Sequence, residues 1–208
     1  MSRQLSWVAI LSLWIGIAQS TPIPEIITGD PKAGAAKTQV CASCHGVDGN
    51  GLQGMSDNPK IAGQHEKYLI KQMKDFKGPR LNGIMLSFVK DLSEEDIRDI
   101  AAYYASQNTT IGVVPSAYLK IGEQIYRGGN LKTGVPACAA CHSPDGGGNA
   151  LMPAPVLSGQ HFEYVAAQMQ AFKAGTRKND PNGMMQDIAK RMTSEEIQAV
   201  AQYVSGLH

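Results

Sequence analysis

The sequence is poor in aromatic residues and carries almost no net charge. Of 208 residues only 4 are Phe, 7 are Tyr and 2 are Trp, and both tryptophans, Trp7 and Trp14, lie near the amino terminus. Lys and Arg number 19 against 18 Asp and Glu, a formal net charge of +1, which argues against a nucleic-acid-binding protein because such proteins concentrate positive charge. No stretch of useful length alternates apolar with polar residues, so a β-sheet is not expected. With 43% hydrophobic and 18% charged residues, the composition is that of a soluble globular protein.

The first 20 residues predict a secretory signal peptide. Arg3 precedes an apolar run that extends to Ala18, and the small residues Ala18 and Ser20 suit cleavage after Ser20. A membrane-spanning helix needs about 20 apolar residues, and this run is shorter. The uncharged stretch continues to Pro24, so an uncleaved membrane anchor stays the alternative. Export predicts that the protein works outside the cytoplasm.

All four cysteines lie in two CxxCH motifs. The motifs consist of Cys41, Cys44 and His45 in the first half and of Cys138, Cys141 and His142 in the second. This pattern is typical of covalent haem attachment, because two thiols at this spacing reach the two vinyl groups of one porphyrin and the next residue brings an imidazole to the iron. A thioredoxin-like redox pair would require a βαβ context, and a zinc site would require both CxxC pairs together. The sequence therefore predicts two covalently bound haem c groups.

The similarity between the two halves extends beyond the cysteine motifs. Gly63-Gln64-His65 recurs as Gly159-Gln160-His161, and Ile97 to Tyr103 recurs as Ile197 to Tyr203. Self-similarity of this kind predicts a tandem duplication. Residues 107–116 are polar and β-branched, contain Pro115 and show no helical period, which suits a linker. We expect a leader at 1–20, an N-terminal domain at 21–112 and a C-terminal domain at 113–208.

Each half is predicted to be all-helical. Helical periodicity covers residues 31–40 and 67–77 in the first half and residues 116–126 and 164–173 in the second. Ser93 with Asp96, and Thr193 with Glu196, have the spacing of a helix N-cap and an acid three positions later, which opens the last helix of each half. Domains of this size with so few aromatic residues have thin cores, so a buried macrocycle would supply the missing apolar mass.

The second axial ligand of each iron decides between electron transfer and ligand chemistry, because a methionine closes the iron whereas an open position admits substrates. Met85 and Met185 are the best candidates. They follow Asn-Gly turns and lie 40 and 43 residues after the histidines of the motifs, far enough to reach the opposite haem face. Met184 is the register competitor of Met185, and only its counterpart Ile84 argues against it. Four other methionines suit the role less well: Met55, Met73, Met152 and Met169.

Two further repeated positions are open to more than one interpretation. His65 and His161 are alternative iron ligands, although their place at a predicted helix start favours helix initiation or an exposed imidazole. Pro59 and Pro155 are either simple loop prolines or residues whose carbonyl accepts the Nδ1 proton of the haem-ligating histidine.

Several of these features together resemble the dihaem cytochromes of the c4 type. They are the two tandem CxxCH motifs, the sequence Pro-Lys-Ile-Ala-Gly-Gln-His with its counterpart Pro-Val-Leu-Ser-Gly-Gln-His, and the methionines ahead of Leu-Ser-Glu-Glu-Asp-Ile. The resemblance covers essentially the whole chain after the leader. It implies two class I cytochrome c domains related by a pseudo-twofold axis, with neighbouring haem propionates.

The resemblance also implies the coordination of each iron. By position, the axial ligands fall on His45 with Met85 and on His142 with Met185. The proximal prolines of the family fall on Pro59 and Pro155. The short loop at residues 78–83, just before Met85, departs from the second half.

The function implied is electron transfer in the periplasm between a redox-protein donor and an acceptor. The acceptor is commonly a membrane terminal oxidase, and a small periplasmic carrier is a further expected partner. The interpretation is therefore an electron carrier, not an enzyme. The rival interpretations are a dihaem peroxidase-like or sulfur-oxidising enzyme with one open haem site, and a subunit held at the membrane. Lys67, Lys71 and Lys74 form a cationic strip that is either a solvated helix face or a docking patch for an acidic partner.

Overall fold

The computed structural model describes residues 28–208, so the predicted leader lies outside the described part of the chain. The α-helices in this range are α1 (Pro31–Lys37), α2 (Gln39–His45), α3 (Glu66–Phe76), α4 (Gly83–Val89), α5 (Glu94–Ala105), α6 (Ser116–Gly128), α7 (Ala139–His142), α8 (Phe162–Ala174), α9 (Met184–Arg191) and α10 (Ser194–Ser205). A short 3₁₀ turn covers Pro181–Gly183. The β-type pairings of these residues are two isolated bridges. The all-α prediction is confirmed.

The first and last helices of each half cross at close range because a glycine lies at the crossing. In the first half α1 packs on α5, and a Cβ atom on Gly34 would lie 2.0 Å from the backbone oxygen of Asp99. In the second half α6 packs on α10, and a Cβ atom on Gly122 would lie 2.5 Å from the backbone oxygen of Ala199. A side chain at either position would push the helices apart. A glycine at the crossing of the first and last helices is therefore a feature that the two halves share.

Both last helices begin with the predicted capping box. The Ser93 hydroxyl accepts from the Asp96 N–H at 3.1 Å, and the Asp96 carboxylate accepts from the Ser93 N–H at 3.0 Å. Thr193 and Glu196 make the same exchange at 3.1 and 2.8 Å. Each box satisfies two backbone donors at a helix start and so fixes where the helix begins.

Each half has a small core of its own. In the first half the core lies between α3 and α5, with Leu69, Ile100 and Tyr104 at its centre. In the second half the core lies between α6, α8 and α10 and includes Tyr126 and Met192. Of the predicted linker at 107–116, residues 107–115 contain no helix and contact both halves, whereas Ser116 begins α6. Thr109 donates to the Ala62 carbonyl at 2.5 Å, and the Gly112 N–H donates to the Ser205 carbonyl at 2.8 Å.

The helices around the haem motifs differ in part from the predictions. The predicted helix 31–40 ends at Lys37, and a separate helix, α2, carries the first CxxCH motif. In the second half α6 ends at Gly128 because Gly129 has a positive φ of 67°, and an irregular segment separates it from α7. Two short helices were not predicted: α4 contains Met85 and α9 contains Met185, where the sequence indicated only turns.

The two halves face each other through reciprocal contacts. The side chain of Gln64 bonds to the backbone of Val156, and the side chain of Gln160 bonds to the backbone of Lys60. Gln64 and Gln160 are equivalent positions of the repeat, and so are Lys60 and Val156. An exchange in which residue i meets residue j and the equivalent of j meets the equivalent of i is the signature of a twofold interface. No helix within residues 28–208 combines the length and the apolar character that crossing a membrane requires.

Candidate haem-binding sites

A cavity of about 670 Å³ runs through the centre of the molecule and is lined by both halves. Each half contributes its CxxCH motif, the proline that follows the motif and a methionine from a short helix. The first half provides Cys41, Cys44, His45, Pro59 and Met85, and the second provides Cys138, Cys141, His142, Pro155 and Met185. The residues predicted from the sequence as haem-binding therefore surround one continuous space.

The two motif histidines are buried and held in the same way. His45 is 7% exposed and its Nδ1 lies 2.9 Å from the Pro59 carbonyl oxygen. His142 is 9% exposed and its Nδ1 lies 2.9 Å from the Pro155 carbonyl oxygen. A carbonyl oxygen can only accept, so Nδ1 carries the proton and Nε2 keeps its lone pair. This is the tautomer that binds a metal through Nε2.

The environment also favours the neutral form of both imidazoles. Burial lowers the pKa of His45, and the hydrogen bond to Pro59 opposes this only in part. Burial likewise lowers the pKa of His142, against the effect of Pro155. Since only a neutral imidazole has a lone pair to donate, the site is prepared for coordination.

The four cysteines do not have the features of a redox or zinc site. None of them is in a disulfide, and burial raises the pKa of the Cys41 thiol and raises that of Cys138 to about 11. Reactive CxxC thiols have a lowered pKa, which is the opposite shift. Across residues 28–208 no three His, Cys, Asp or Glu side chains come together as a metal site, so the two CxxC pairs are not gathered around one ion. On α2, Cys41 and Cys44 lie three residues apart and therefore on one face of the helix.

The methionine helices present Met85 and Met185 to the cavity. In the first half the Asn82 side chain caps α4 by accepting from the Met85 N–H at 2.9 Å. In the second half Asn182 has a positive φ of 55° and the cap position falls on Gly183. The two turns therefore place Met85 and Met185 at the cavity through different backbone conformations.

Burial separates the two register candidates in the second half. Met85 and Met185 are both half-buried. Met184 also lines the cavity but is 47% exposed, and its counterpart Ile84 is 70% exposed. In both halves the second of the two adjacent positions, Met85 or Met185, is therefore the more buried one.

The other candidate methionines and histidines are packed in a core, exposed or outside the cavity, although Met152, which is 45% exposed, also lines the cavity. Met73 and Met169 border the cavity but pack against the cores of their halves, as their helical spacing suggested. Met55 is 39% exposed and does not line the cavity. His65 and His161 are the N-cap residues of α3 and α8 and do not line the cavity either.

Two arginines enter the cavity from opposite halves. Arg80 lies over the Phe76 ring and Arg177 over the Phe172 ring, each with the guanidinium carbon 4.5 Å from the ring centroid. Arg177 is only 8% exposed. The hydrogen-bond partners of the two guanidinium groups are uncharged and come from both halves: Gln72, Gln168, Tyr68, Tyr164 and Asn179.

This arrangement fits haem c. Buried guanidinium groups are stabilised by planar carboxylates, and the described partners of Arg80 and Arg177 supply none. Haem carries two propionate carboxylates at one edge. The cavity therefore combines paired thiols, a metal-binding imidazole and a cationic cluster at the meeting point of the two halves.

The arginine pair was not predicted from the sequence. Arg80 follows Phe76 by four residues and Arg177 follows Phe172 by five, in the loop that differs most between the halves. The pair is therefore out of register with the displacement of 96 that relates the phenylalanines. The detectable signal was an arginine within five residues of a repeated Phe-Lys pair.

The lysine strip is largely neutralised. Lys71 pairs with Asp75 and donates to the Asn179 carbonyl of the other half at 2.7 Å. Lys74 pairs with Glu94. Because Lys71 and Lys74 form ion pairs within the chain, the contacts favour a solvated helix face over a docking patch for an acidic partner.

Comparison with known proteins gives consistent matches. The sequence profile of the family described as Cytochrome c matches residues 32–108 and 120–208. A cytochrome c4 from Thiocapsa roseopersicina is 46% identical over 181 residues, which is 86% of this chain and 93% of the relative. The crystal structure of reduced recombinant cytochrome c4 from Pseudomonas stutzeri superposes with a TM-score of 0.82 at 41% identity, covering 87% of this chain and 100% of that one.

A more distant relative has a different printed name. A protein called thiosulfate dehydrogenase electron acceptor, from Stutzerimonas stutzeri (strain A1501), is 38% identical over 172 residues, which is 80% of this chain and 78% of the relative.

Proposed function

Because this chain belongs to the cytochrome c4 family, and is thus a dihaem c-type electron-transfer cytochrome with two covalently bound haem c groups, we propose that it carries electrons in the periplasm. Its donor is a redox protein of the respiratory chain, and its acceptor is a membrane terminal oxidase reached directly or through a small periplasmic carrier. The predicted export signal at residues 1–20 supports the location.

Ten of the residues that line the cavity hold the two haems or orient their ligands. Cys41 and Cys44 hold the first haem, and Cys138 and Cys141 hold the second. The axial ligands are His45 with Met85 and His142 with Met185. Pro59 and Pro155 orient the imidazoles through their carbonyl oxygens.

The observation that carries the proposal is the pair of 2.9 Å contacts from His45 to Pro59 and from His142 to Pro155. Each contact fixes a buried, neutral imidazole with Nε2 available toward the cavity. Met85 and Met185, which line the same cavity, would each supply a further iron ligand and so would close the irons to substrates. When bound, each haem supplies one-electron chemistry between the ferrous and ferric states. The protein's own residues orient the ligands and keep water away.

The electrons have two candidate donors. The name of the relative from Stutzerimonas stutzeri favours a second candidate, in which a thiosulfate dehydrogenase supplies the electrons. The fold and haem sites would serve either donor. Reduction of the purified protein by a thiosulfate dehydrogenase with thiosulfate, against reduction by a respiratory complex with quinol, separates the two.

The test of the central proposal is a haem count combined with optical spectra. We expect two haems per chain, the far-red ferric band of methionine ligation and no carbon monoxide binding by either ferrous iron. An open haem site, shown by carbon monoxide binding at native pH, would instead support the enzyme alternative, either peroxidase-like or sulfur-oxidising. Sequencing of the mature amino terminus tests export, since cleavage after Ser20 removes the leader and a retained leader indicates a membrane anchor.

A further inference from the structure

The repeated Gly-Gln-His sequence places a glutamine from each half against the backbone of the other. Gln160 Oε1 accepts from the Lys60 N–H at 2.8 Å, and its Nε2 donates to the Lys60 carbonyl at 2.8 Å. Gln64 Oε1 accepts from the Val156 N–H at 2.9 Å, and its Nε2 donates to the Val156 carbonyl at 3.0 Å. Each glutamine amide therefore bonds to both the N–H and the carbonyl of one residue in the opposite half.

These contacts lie in the interior of the molecule. Gln64, Gln160 and Lys60 are 6%, 7% and 9% exposed. The Lys60 side chain leaves the contact and donates to the Thr110 carbonyl at 2.6 Å, so the glutamine meets only the Lys60 backbone. Hydrogen bonds in such surroundings are electrostatically stronger than bonds exposed to water.

The two residues bound by the glutamines, Lys60 and Val156, directly follow Pro59 and Pro155. One peptide group in each half therefore takes part in two hydrogen bonds. The carbonyl of Pro59 accepts from His45 Nδ1, and the N–H of the same peptide unit, on Lys60, donates to Gln160. In the second half the Pro155 carbonyl accepts from His142 Nδ1, and the N–H on Val156 donates to Gln64. A single planar peptide thus lies between a haem-binding histidine and a glutamine of the other half.

A peptide group that donates through its N–H becomes a better acceptor at its C=O, because bonds in a hydrogen-bonded chain polarise one another. A better acceptor draws the Nδ1 proton more strongly, which makes the imidazole a more basic ligand. A more basic imidazole stabilises ferric iron relative to ferrous iron and so lowers the reduction potential.

We propose that Gln160 tunes the haem bound through His45, and that Gln64 tunes the haem bound through His142, each across the interface between the halves. The two glutamines are positioning residues, since they act through a peptide and touch neither iron ligand. The effect is crossed, because each glutamine controls the haem of the opposite half. The inference rests on the proposed roles of His45 and His142 as iron ligands.

The test compares Gln160→Met and Gln64→Met with the parent protein in a redox titration that follows each haem by NMR. Methionine keeps the length of the side chain and removes both bonds to the opposite half, together with the bond that each glutamine Oε1 accepts from the N–H of the following histidine. We expect Gln160→Met to raise the potential of the His45 haem and to leave that of the His142 haem unchanged. Gln64→Met should do the reverse. In the reduced protein, the Nδ1 proton resonance of the affected histidine should move upfield as its hydrogen bond weakens.

A second variant tests the sign. Gln160→Glu keeps an acceptor for the Lys60 N–H. While its carboxyl is protonated, the O–H replaces the amide donor to the Lys60 carbonyl, and the potential of the His45 haem should stay near the parent value. On ionisation that donor is lost and the bond from the Lys60 N–H is strengthened by charge, so the potential should fall as pH rises. This variant also serves if Gln160→Met does not fold. As a control, Thr109→Val removes the bond to the Ala62 carbonyl, which joins the linker to the first half but involves neither peptide. It should shift neither potential.

The proposal is overturned if Gln160→Met shifts only the haem of its own half, shifts both haems together or shifts neither. A shift of both would mean a general loosening of the interface. These outcomes are separate from failure of the proposed function, which the parent protein alone reveals through its haem count and its ligand spectra.

Discussion

Arg80 and Arg177, which come from different halves of the chain, donate to the same acceptor. Arg80 Nη2 lies 3.1 Å and Arg177 Nη1 lies 2.8 Å from Oε1 of Gln168. Gln72 Oε1 is shared in the same way, at 2.6 Å from Arg80 and 3.3 Å from Arg177. Two like charges therefore converge on neutral groups at the interface, where the haem propionates would complete the cluster.

Replacement of Arg177 by glutamine should lower the potential of the haem beside it. A nearby cation disfavours ferric iron, so its removal stabilises the oxidised state. At the effective dielectric of a partly buried site the change is on the order of 1 kcal/mol, or about 40 mV for one electron. Arg177→Lys keeps the charge and should retain most of the native potential. Equal potentials in the glutamine and lysine variants would show that the charge of Arg177 does not act on the haem.

The register of the second methionine ligand can be decided with a matched pair of variants. Met185→Leu should open one iron, so that carbon monoxide binds and about half of the far-red ferric band is lost, because only one of two haems is affected. Met184→Leu should leave the spectrum unchanged, since Met184 is 47% exposed and its counterpart is an isoleucine. The reverse result would assign the ligand to Met184.

The residues proposed to bind each haem could be predicted from the sequence because covalent attachment imposes fixed local spacing. Cys41, Cys44 and His45 are a contiguous motif, and the cavity contains all three. Met85 required more, namely a repeat with a counterpart at Met185. The methionine helices themselves were missed because a helix of seven or eight residues that follows an Asn-Gly pair looks like a turn extension.

The contacts between the halves could not be predicted from the sequence in the same way. The recurrence of Gln64 as Gln160 was visible, but their partners are backbone groups, and the sequence does not indicate which backbone groups lie opposite. Arg80 and Arg177 do not align in the repeat, so their pairing depends on loops whose paths differ. Both the glutamine contacts and the arginine pair form only when the two halves pack across the pseudo-twofold axis, and residue spacing within one half does not show how they pack.

The helix crossing offers a test of packing. Gly122→Ala in α6 should lower the free energy of unfolding by about 1–3 kcal/mol, because the new methyl group would lie 2.5 Å from the Ala199 oxygen and overpacking of this kind is destabilising. Gly128→Ala is the matched control in the same helix. Nothing lies within 4 Å of a Cβ atom there, so the gain in helix propensity of up to about 1 kcal/mol should appear unopposed. Denaturant unfolding of the haem-loaded protein measures both, and equal stability of the two variants would contradict the close crossing.

A buried carboxylate on α5, that of Asp99, joins this helix to α1. Asp99 Oδ2 accepts from Lys37 Nζ at 2.7 Å, and Oδ1 accepts from the Asp30 N–H at 2.8 Å. The hydrogen bond from Lys37, followed by that from Asp30, holds the pKa of Asp99 below its usual range. The folded state therefore binds the proton of this group less readily than the unfolded state does.

The sign of the pH dependence follows from that shift. A carboxyl whose pKa is depressed by folding stabilises the protein fully above its unfolded pKa of about 3.9, and the contribution is lost as pH falls toward the folded pKa. Asp99→Asn should therefore lower the thermal midpoint at neutral pH, and the difference from the parent should shrink below about pH 4. Asp91→Asn is the control, because the Asp91 side chain is 88% exposed and should change little at any pH. Thermal unfolding measured across this range checks the prediction, and a difference for Asp99→Asn that stays constant with pH would show that its effect comes from packing and not from the ionised carboxylate.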